Sequence, residues 1–371
     1  MKKLLVMLVM ALLVMPAISA VDVGTGITPD IGTEDFAPLV WACSDRVVYD
    51  DDVEGWRTTI GNQSMTERIN NYAFEGEQIQ WTVLVMDKNG INKIEDVFAT
   101  IGDVQGAGND IEVNCIEGAG SAISDPSIVD SSCNARILEE DLTGDTIDTA
   151  TQRYYTCTFS VETSDSMYGE YWLTVEATDL DGLSGTMDEN EYWFFNPVIA
   201  LSIDGDLTFE DVRPGTASYS STLLVGNDAD DSSGVLLDMF ITGTDFYDSS
   251  SSGAMCPTTN QLALTNFAYF ATNGAYNTRN DNAVDSAGSV VRAVDAEGYV
   301  NIEYADGFST ALYDDAEIIQ DGGDIFGTGV GYAANVLAPG AEMSVTFKLN
   351  LPEPCNGDFD TGSIYFWGEA I

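Results

Sequence analysis

Histidine is absent from all 371 residues. Ser-His-Asp and Cys-His catalysis both need an imidazole as the general base, so neither mechanism is open to this chain. Histidine is also the commonest metal ligand in proteins, and its absence argues against the usual zinc and copper sites. A glycosidase needs only two carboxylates, and the sequence neither excludes such a pair nor points to one. We therefore expect a protein without enzymatic activity.

Basic residues are scarce. Thirteen Lys and Arg face 61 Asp and Glu, which gives a formal net charge of −48 at pH 7. A field of that sign repels phosphate backbones and anionic lipid surfaces, so nucleic acid is not an expected partner, and it attracts cations. Three explanations of the acidity stay open: a surface suited to high salt, calcium-dependent folding or assembly, and plain solubility.

Long apolar runs are absent after the N-terminus. Two lysines precede the apolar stretch Leu4–Val14, and Pro16 and the small-residue sequence Ile18–Ala20 follow it. This pattern predicts a secretory signal peptide at residues 1–20, cleaved after Ala20. The stretch is shorter than the roughly 20 residues that a membrane span needs. We expect a mature form without a membrane span, located outside the cell at the cell surface.

No C-x-x-C pair occurs among the six cysteines, which argues against a structural zinc site in a chain without histidine. An even number of cysteines in an exported protein predicts disulfides. Cys256 and Cys355 are the only two cysteines in the second half, and we expect them to pair. Three connectivities stay open for the other four, Cys43, Cys115, Cys133 and Cys157.

Helical periodicity is also missing, and period-two alternation takes its place. The clearest case runs from Met343 to Leu351, where apolar residues alternate with Ser, Thr, Lys and Asn. Such a strand has one face in a core and one in water. The turn at Asn89-Gly90 predicts a hairpin between Gln78–Met86 and the next strand. Short strands between turn signals favour β-sandwiches over barrels or α/β layers.

The expected fold is all-β, with two consecutive immunoglobulin-like β-sandwich domains after a cleaved signal peptide. An extended N-terminal arm occupies residues 21–39, the first sandwich residues 40–197 and the second residues 198–371. The segment Ser249–Ala316 is rich in Ser, Asn, Asp and Gly, which predicts long loops over the second sandwich. Such loops are frequent places for binding.

Both halves carry strand motifs that resemble known modules. The first half contains Ile79-x-Trp81-x-Val83 and Val175-x-Ala177-x-Asp179-x-Asp181-Gly182. These motifs resemble immunoglobulin-like modules of the cadherin and PKD kind, which recur in prokaryotic surface proteins. The second half contains Leu207-x-Phe209-x-x-Val212-x-Pro214-Gly215 and Leu223-x-Val225-x-Asn227. It is similar to sandwich domains of archaeal secreted surface proteins and, more loosely, to TasA-type fibre subunits. The resemblance implies a fold and a location, and no activity.

Acidic and amide side chains crowd three turns, and these are the candidate metal ligands: Asp87 and Asn89; Asp179, Asp181 and Asp188; Asp228 and Asp230. Calcium takes roughly six to eight oxygen ligands, which such turns supply. None of the three matches the full EF-hand spacing. The alternative is that the same side chains cap the turns without any metal. Calcium is the one cofactor that the sequence suggests.

Aromatic residues in apparent loops offer a second kind of site. These residues either stack on sugars or cover the edge of a sandwich. They are Trp56, Tyr269, Phe270, Tyr276 and Tyr304. A glycosylation acceptor motif begins at Asn62. The arm Val21–Thr28 is either a disordered leader or a strand that adds to an open sheet edge of a neighbour.

Together these features predict a secreted, non-enzymatic structural or adhesive protein of the cell surface, a subunit of a layer or fibre, stabilised by calcium if it uses a cofactor. Its partners are expected to be copies of itself or other surface proteins. The alternative is a secreted module that binds polysaccharide or another ligand.

Overall fold

The computed structural model describes residues 26, 29–50, 63–64, 70–120, 123–134, 146–187, 191–250, 253–282, 292–305, 316–323 and 332–371. The predicted signal peptide, Trp56, Asn62 and Asp188 lie outside these residues. Phe36–Ile371 form one compact unit. Residues 29–38 have no regular secondary structure.

The described chain is built from strands, as the sequence predicts. Ten lie in the first half: β1 Leu39–Asp50, β2 Gln63–Ser64, β3 Tyr72–Ala73, β4 Gln78–Met86, β5 Ile94–Gly102, β6 Ile111–Glu117, β7 Gln152–Ser160, β8 Gly169–Asp179, β9 Ser184–Thr186 and β10 Glu191–Phe195. Twelve follow in the second half: β11 Leu201–Asp204, β12 Ala217–Asn227, β13 Leu237–Gly243, β14 Phe246–Tyr247, β15 Gln261–Leu262, β16 Phe267–Asn273, β17 Tyr276–Asn277, β18 Val300–Asn301, β19 Glu303–Tyr304, β20 Val336–Leu337, β21 Glu342–Asn350 and β22 Ile364–Ala370.

Helices are short wherever the chain is described. They comprise the α-helix α1 Ser131–Asn134 and the 3-10 turns Ile91–Lys93, Leu264–Asn266 and Thr278–Asn282. Within the described ranges, none of the helices has the length and apolarity needed to cross a membrane.

Strands β1 to β10 form the first sandwich, in the order β2-β1-β4-β7-β6-β5-β8-β10-β3 with β9 beside β8. Strand β6 passes from one sheet to the other: Ile111–Asn114 pair with β5, and Cys115–Glu117 pair with β7. The inward faces of both sheets enclose one core, which includes Ile79, Trp81, Val83, Val97, Leu173, Val175 and Trp193. These are alternate positions of their strands, as burial of one face requires.

The predicted hairpin between β4 and β5 is wrong. Strand β4 pairs with β1 and β7, whereas β5 pairs with β6 and β8. Gly90 has φ 123°, and the chain continues into the 3-10 turn Ile91–Lys93 instead of reversing. Ile91 is buried, and its N–H donates to the carbonyl of Ala150 (2.9 Å). Burial of Ile91 therefore carries the chain across to the opposite sheet.

A second apolar layer covers the outer side of β1 and β4. It contains Trp41, Leu84, Met86, Ile123 and Tyr154. The disulfide Cys43–Cys133 ties α1 to β1 in this layer, and Cys115–Cys157 joins the neighbouring strands β6 and β7. Strand β4 is consequently buried on both faces over its second half.

The second sandwich packs two sheets face to face. One has the order β11-β12-β21-β16-β17 with β18 beside β16, and the other has β19-β13-β20 with β22 beside β13. Strand β21 alternates as predicted: Met343, Val345 and Phe347 are buried in the core, while Ser344 and Thr346 face outward. The disulfide Cys256–Cys355 closes this half, and it is the pair expected from the sequence.

The segment predicted as loops contains a central strand. Strand β16 lies between β21 and β17, and Tyr269 within it is fully buried. Phe267, Tyr269 and Ala271 alternate toward the core in the manner of any half-buried strand. The polar composition on either side of these seven residues conceals their pattern, so placing Tyr269 and Phe270 in a loop was wrong.

Strands β3 and β10 serve both cores. Trp193 and Phe195 point into the first core, and Phe194 between them points into the second. On β3, Ala73 belongs to the first core and Tyr72 to the second. Because neighbouring side chains on a strand lie on opposite faces, this pair of strands forms a wall shared by the two sandwiches.

Candidate functional site

The first predicted metal turn is tightly packed. Asp87 is fully buried, and its Oδ1 accepts a hydrogen bond from the N–H of Asn89 (2.7 Å). Asn89 Oδ1 accepts from the N–H of Phe36 (2.6 Å). The other carboxylate oxygen, Asp87 Oδ2, is buried and accepts no hydrogen bond from any residue that the structure describes. This oxygen is the feature of the turn that is compatible with a cation.

The second turn lies beside the first. Asp179 Oδ1 accepts from the N–H groups of Asp181 (3.0 Å) and Leu183 (2.7 Å). Asp181 forms an ion pair with Lys93. Lys93 is the last residue of the 3-10 turn Ile91–Lys93, which follows Asn89 in the chain. The structure therefore brings two of the three predicted turns to one end of the first sandwich.

The third turn lies at the junction of the sandwiches. Asp230 Oδ2 accepts from Tyr168 Oη (2.9 Å) and from the N–H of Val198 (2.9 Å), and Asp228 is exposed. Across the residues that the structure describes, no three acidic or cysteine side chains group so that they could hold a metal ion. Calcium binding stays a prediction.

Arg292 and Asp281 form a buried ion pair in the second sandwich. Arg292 donates to Asp281 Oδ2 from Nε (3.0 Å), to Tyr269 Oη from Nη1 (2.8 Å) and to the main-chain oxygen of Glu317 (2.6 Å). Burial raises the pKa of Tyr269 to about 12 and raises the pKa of Asp281 above its ordinary value. The guanidinium has protein partners on several sides, which is a structural arrangement and not an open site.

Three aromatic rings form a surface cluster, and only Phe270 among them was predicted as a site residue from the sequence. Tyr219 on β12 and Phe270 on β16 flank Tyr299, with ring centroids 5.7 and 5.8 Å from that of Tyr299. The Nζ of Lys348 on β21 lies 5.4 Å from the Tyr299 centroid. We call Tyr219, Phe270 and Tyr299 the aromatic platform. Tyr276 and Tyr304, the other predicted sugar-stacking residues that are described, are exposed and take no part in these ring contacts.

Charged groups border the aromatic platform. Lys348 Nζ donates to Asp295 Oδ2 (2.8 Å) and Glu297 Oε2 (2.7 Å), and Tyr219 Oη donates to Glu297 Oε2 (2.9 Å). The hydrogen bond from Lys348, followed by that from Tyr219, holds the pKa of Glu297 below its usual value. The hydrogen bond to Glu297 raises the pKa of Tyr219. At neutral pH the border is therefore an ionised carboxylate beside a neutral phenol.

The edge strand β11 exposes apolar residues that point toward the core. Ile203 is paired opposite Val225, a fully buried core residue, yet Ile203 is 52% exposed. Leu201, two positions earlier on the same face, is 36% exposed. A Cβ placed on Gly368 would lie 3.3 Å from Leu201, so β11 runs beside β22 of the facing sheet. Among the described strands, β11 pairs with β12 alone.

A pocket of about 520 Å³ continues this edge, and both apolar and polar residues line it, Asp211 and Asn356 among the polar ones. Leu207 and Phe209, just after β11, line it together with Phe246 and Phe359. Phe209 and Phe246 both contact the ring of Phe267 at the end of the second core. The pocket therefore opens onto the apolar interior of the sandwich.

No protein-family model matches the sequence, and no curated protein matches it. The C-terminal domain of the Streptococcus agalactiae AgI/II polypeptide BspA aligns over 90% of this chain and 97% of its own, with 10% identity and a TM-score of 0.28. A structure described as BspA_C_WT aligns over 88% and 96%, with 10% identity and a TM-score of 0.31.

A third structure, described as a chaperone-tip adhesin complex in CFA/I fimbriae biogenesis, aligns over 92% and 94% with 8% identity and a TM-score of 0.22. Scores this low carry no argument for a common architecture, so the all-β assignment rests on the strands themselves. The predicted likeness to archaeal surface proteins and TasA-type fibre subunits finds no support in these comparisons.

Proposed function

We propose that this chain is a non-enzymatic structural or adhesive protein of the cell surface that assembles with copies of itself along strand β11. The exposure of Ile203, a core-facing side chain on an edge strand, carries the proposal. A strand at a sheet edge presents a row of N–H and C=O groups that can pair with another chain. Strand addition from a second copy would continue the sheet and cover the apolar residues at the same time.

Covering these apolar residues contributes to such a contact. Full burial of an exposed Leu or Ile side chain contributes about 1.5–3 kcal/mol. Leu201 and Ile203 are 36% and 52% exposed, so they supply part of that, and main-chain pairing of the edge strand adds to it. Copies that each carry a net charge of −48 repel one another at low ionic strength. We therefore expect assembly to require salt or a divalent cation.

Location outside the cell is supported by the three disulfides, which form and persist in oxidising compartments. The absence of histidine supports a role without catalysis. We also propose that calcium, if bound, occupies the end of the first sandwich, where the buried Oδ2 of Asp87 supports a cation.

Light scattering on the mature protein tests the assembly, at low and high salt, with calcium and with chelator. We expect large particles for the wild type at high salt or with calcium, monomers for the wild type at low salt with chelator, and monomers for Ile203→Lys under every condition. Ile116→Lys is the matched control, because Ile116 is 70% exposed on β6 of the first sandwich. A wild type that stays monomeric under all of these conditions, or an Ile203→Lys protein that assembles like the wild type, would contradict the proposal.

A further inference from the structure

We propose that the aromatic platform is a binding site for a neutral polysaccharide. This deepens the adhesive role proposed above by naming a ligand class, and it uses a different surface from strand β11. The platform lies on the outer face of the sheet β11-β12-β21-β16-β17, opposite the core.

The rings offer the right kind of surface. Tyr219 is 48% exposed, and Phe270 and Tyr299 are partly exposed beside it. Tyrosine and phenylalanine rings present an apolar face, and the tyrosine hydroxyl adds a polar tip. The C–H face of a pyranose stacks on such rings. The ring of Tyr299 is tilted 55° from that of Tyr219 and 47° from that of Phe270, so each ring offers a sugar its own face.

Hydroxyl and carboxylate groups border the rings. Thr346 is paired with Phe270 on one side and with Thr222 on the other, and the two threonine hydroxyls are 3.2 Å apart. Glu297 borders Tyr219 and stays ionised, so it accepts hydrogen bonds from sugar hydroxyls. A few polar groups around an apolar surface fix the orientation of a bound ligand.

The platform is built before any ligand arrives. A β-bulge between Tyr219 and Thr222 keeps both side chains on the outer face. Asp295 Oδ1 accepts hydrogen bonds from the N–H groups of Glu297 (2.8 Å) and Tyr299 (2.9 Å). These bonds fix the loop that carries the ring of Tyr299. Gly298 has φ 100°, and a Cβ there would lie 2.9 Å from the Phe270 ring. Preorganisation of this kind lowers the entropic cost of binding.

Charge selects a neutral ligand over an acidic one. Lys348 donates to both Asp295 and Glu297, so its charge is already compensated by two carboxylates. The net charge of −48 repels uronic acids and sulfated sugars at long range. A neutral glycan meets neither obstacle, because stacking and hydrogen bonding do not depend on its charge.

The test is binding of the mature protein to cellulose, chitin and amylose, with alginate as the acidic glycan. We expect retention on at least one neutral polysaccharide and none on alginate. Tyr219→Ala and Tyr299→Ala should each weaken binding about tenfold, which corresponds to ~1.4 kcal/mol. Tyr219→Phe keeps the ring and should retain most of the affinity. Tyr247→Ala is the matched control, because Tyr247 is 40% exposed on β14, outside the platform.

Thermal unfolding checks that each variant is folded. No retention on any of the three neutral glycans, equal binding by wild type and Tyr219→Ala, or stronger binding to alginate would overturn the site. The same assay on Ile203→Lys separates the two proposals: a monomer that still binds glycan supports the platform while assembly is lost, and an assembling wild type without glycan binding supports assembly alone.

Discussion

Tyr72 donates a hydrogen bond from its Oη to the main-chain oxygen of Ile371, 299 residues later in the chain (2.7 Å). Both residues are fully buried. The ring of Tyr72 lies in the second core, while the next residue, Ala73, lies in the first. The contact thus joins the residue that follows β22 of the second sandwich to strand β3 of the first, and we expect the two sandwiches to unfold together.

Tyr72→Phe tests this junction. The substitution leaves the Ile371 oxygen buried without its donor, so we expect a loss of about 1–3 kcal/mol in the free energy of unfolding. Urea unfolding followed by fluorescence measures it, and wild type should show one transition. Tyr247→Phe, at an exposed position, should change little. Two separate transitions in the wild type would contradict a shared wall.

Arg292→Met tests the buried ion pair. It leaves Asp281 buried without its cation, and we expect a loss of about 3–5 kcal/mol at neutral pH. Because burial holds the folded pKa of Asp281 above its unfolded value, the favourable contribution of its neutral form is present at low pH and is lost as pH rises through the folded pKa. Arg292 opposes this rise, so removing it raises the pKa of Asp281 further, and the deficit relative to wild type should be smaller near about pH 4 than near about pH 7.

The double variant Asp281→Leu with Arg292→Met is the control for that loss. It removes both charges, so most of the stability should return and the difference from wild type should vary less with pH. Thermal unfolding of the single and double variants across pH measures both effects. Equal losses in the two variants would mean that the unpaired carboxylate is not the cause.

The disulfide Cys256–Cys355 should contribute more stability than Cys115–Cys157. It links residues 99 positions apart, against 42 for the other pair. Closing a longer loop removes more entropy from the unfolded chain, so replacing Cys256 and Cys355 with Ala should cost about 2–5 kcal/mol. Urea unfolding compares this protein with the matched Cys115→Ala, Cys157→Ala variant. A larger loss in the matched variant would contradict the loop-length argument.

Calcium should raise the melting temperature if the first turn binds it. We expect a rise in Tm with calcium relative to chelator for wild type. The rise should be smaller for Asp87→Asn, which removes the negative charge of the carboxylate that contains the buried Oδ2. Differential scanning calorimetry measures both. Asp165→Asn is the control at an exposed acidic position outside the three predicted turns. The same rise in all three proteins would place the cation elsewhere.

Local pattern was a good guide to strands and a poor guide to their pairing. The alternation of Met343, Val345 and Phe347 predicted β21 and its buried face correctly. The Asn89-Gly90 turn predicted a hairpin that does not form, because the next residue, Ile91, is buried and carries the chain to the other sheet. Tyr269 was missed as a core residue, because a polar composition surrounds its short strand.

The sequence by itself determined three properties: it lacks the histidine that Ser-His-Asp and Cys-His catalysis need, it is strongly acidic, and it is rich in strands. Each follows from composition or from period-two spacing. Only the tertiary structure decided the neighbours of β4, the pairing of Cys43 with Cys133 and the grouping of Tyr219 with Phe270 and Tyr299. These residues are far apart in the chain, and β21 between β12 and β16 brings the rings together. Local spacing specifies which face of a strand is apolar, whereas the choice of neighbours depends on the burial summed over the whole sandwich.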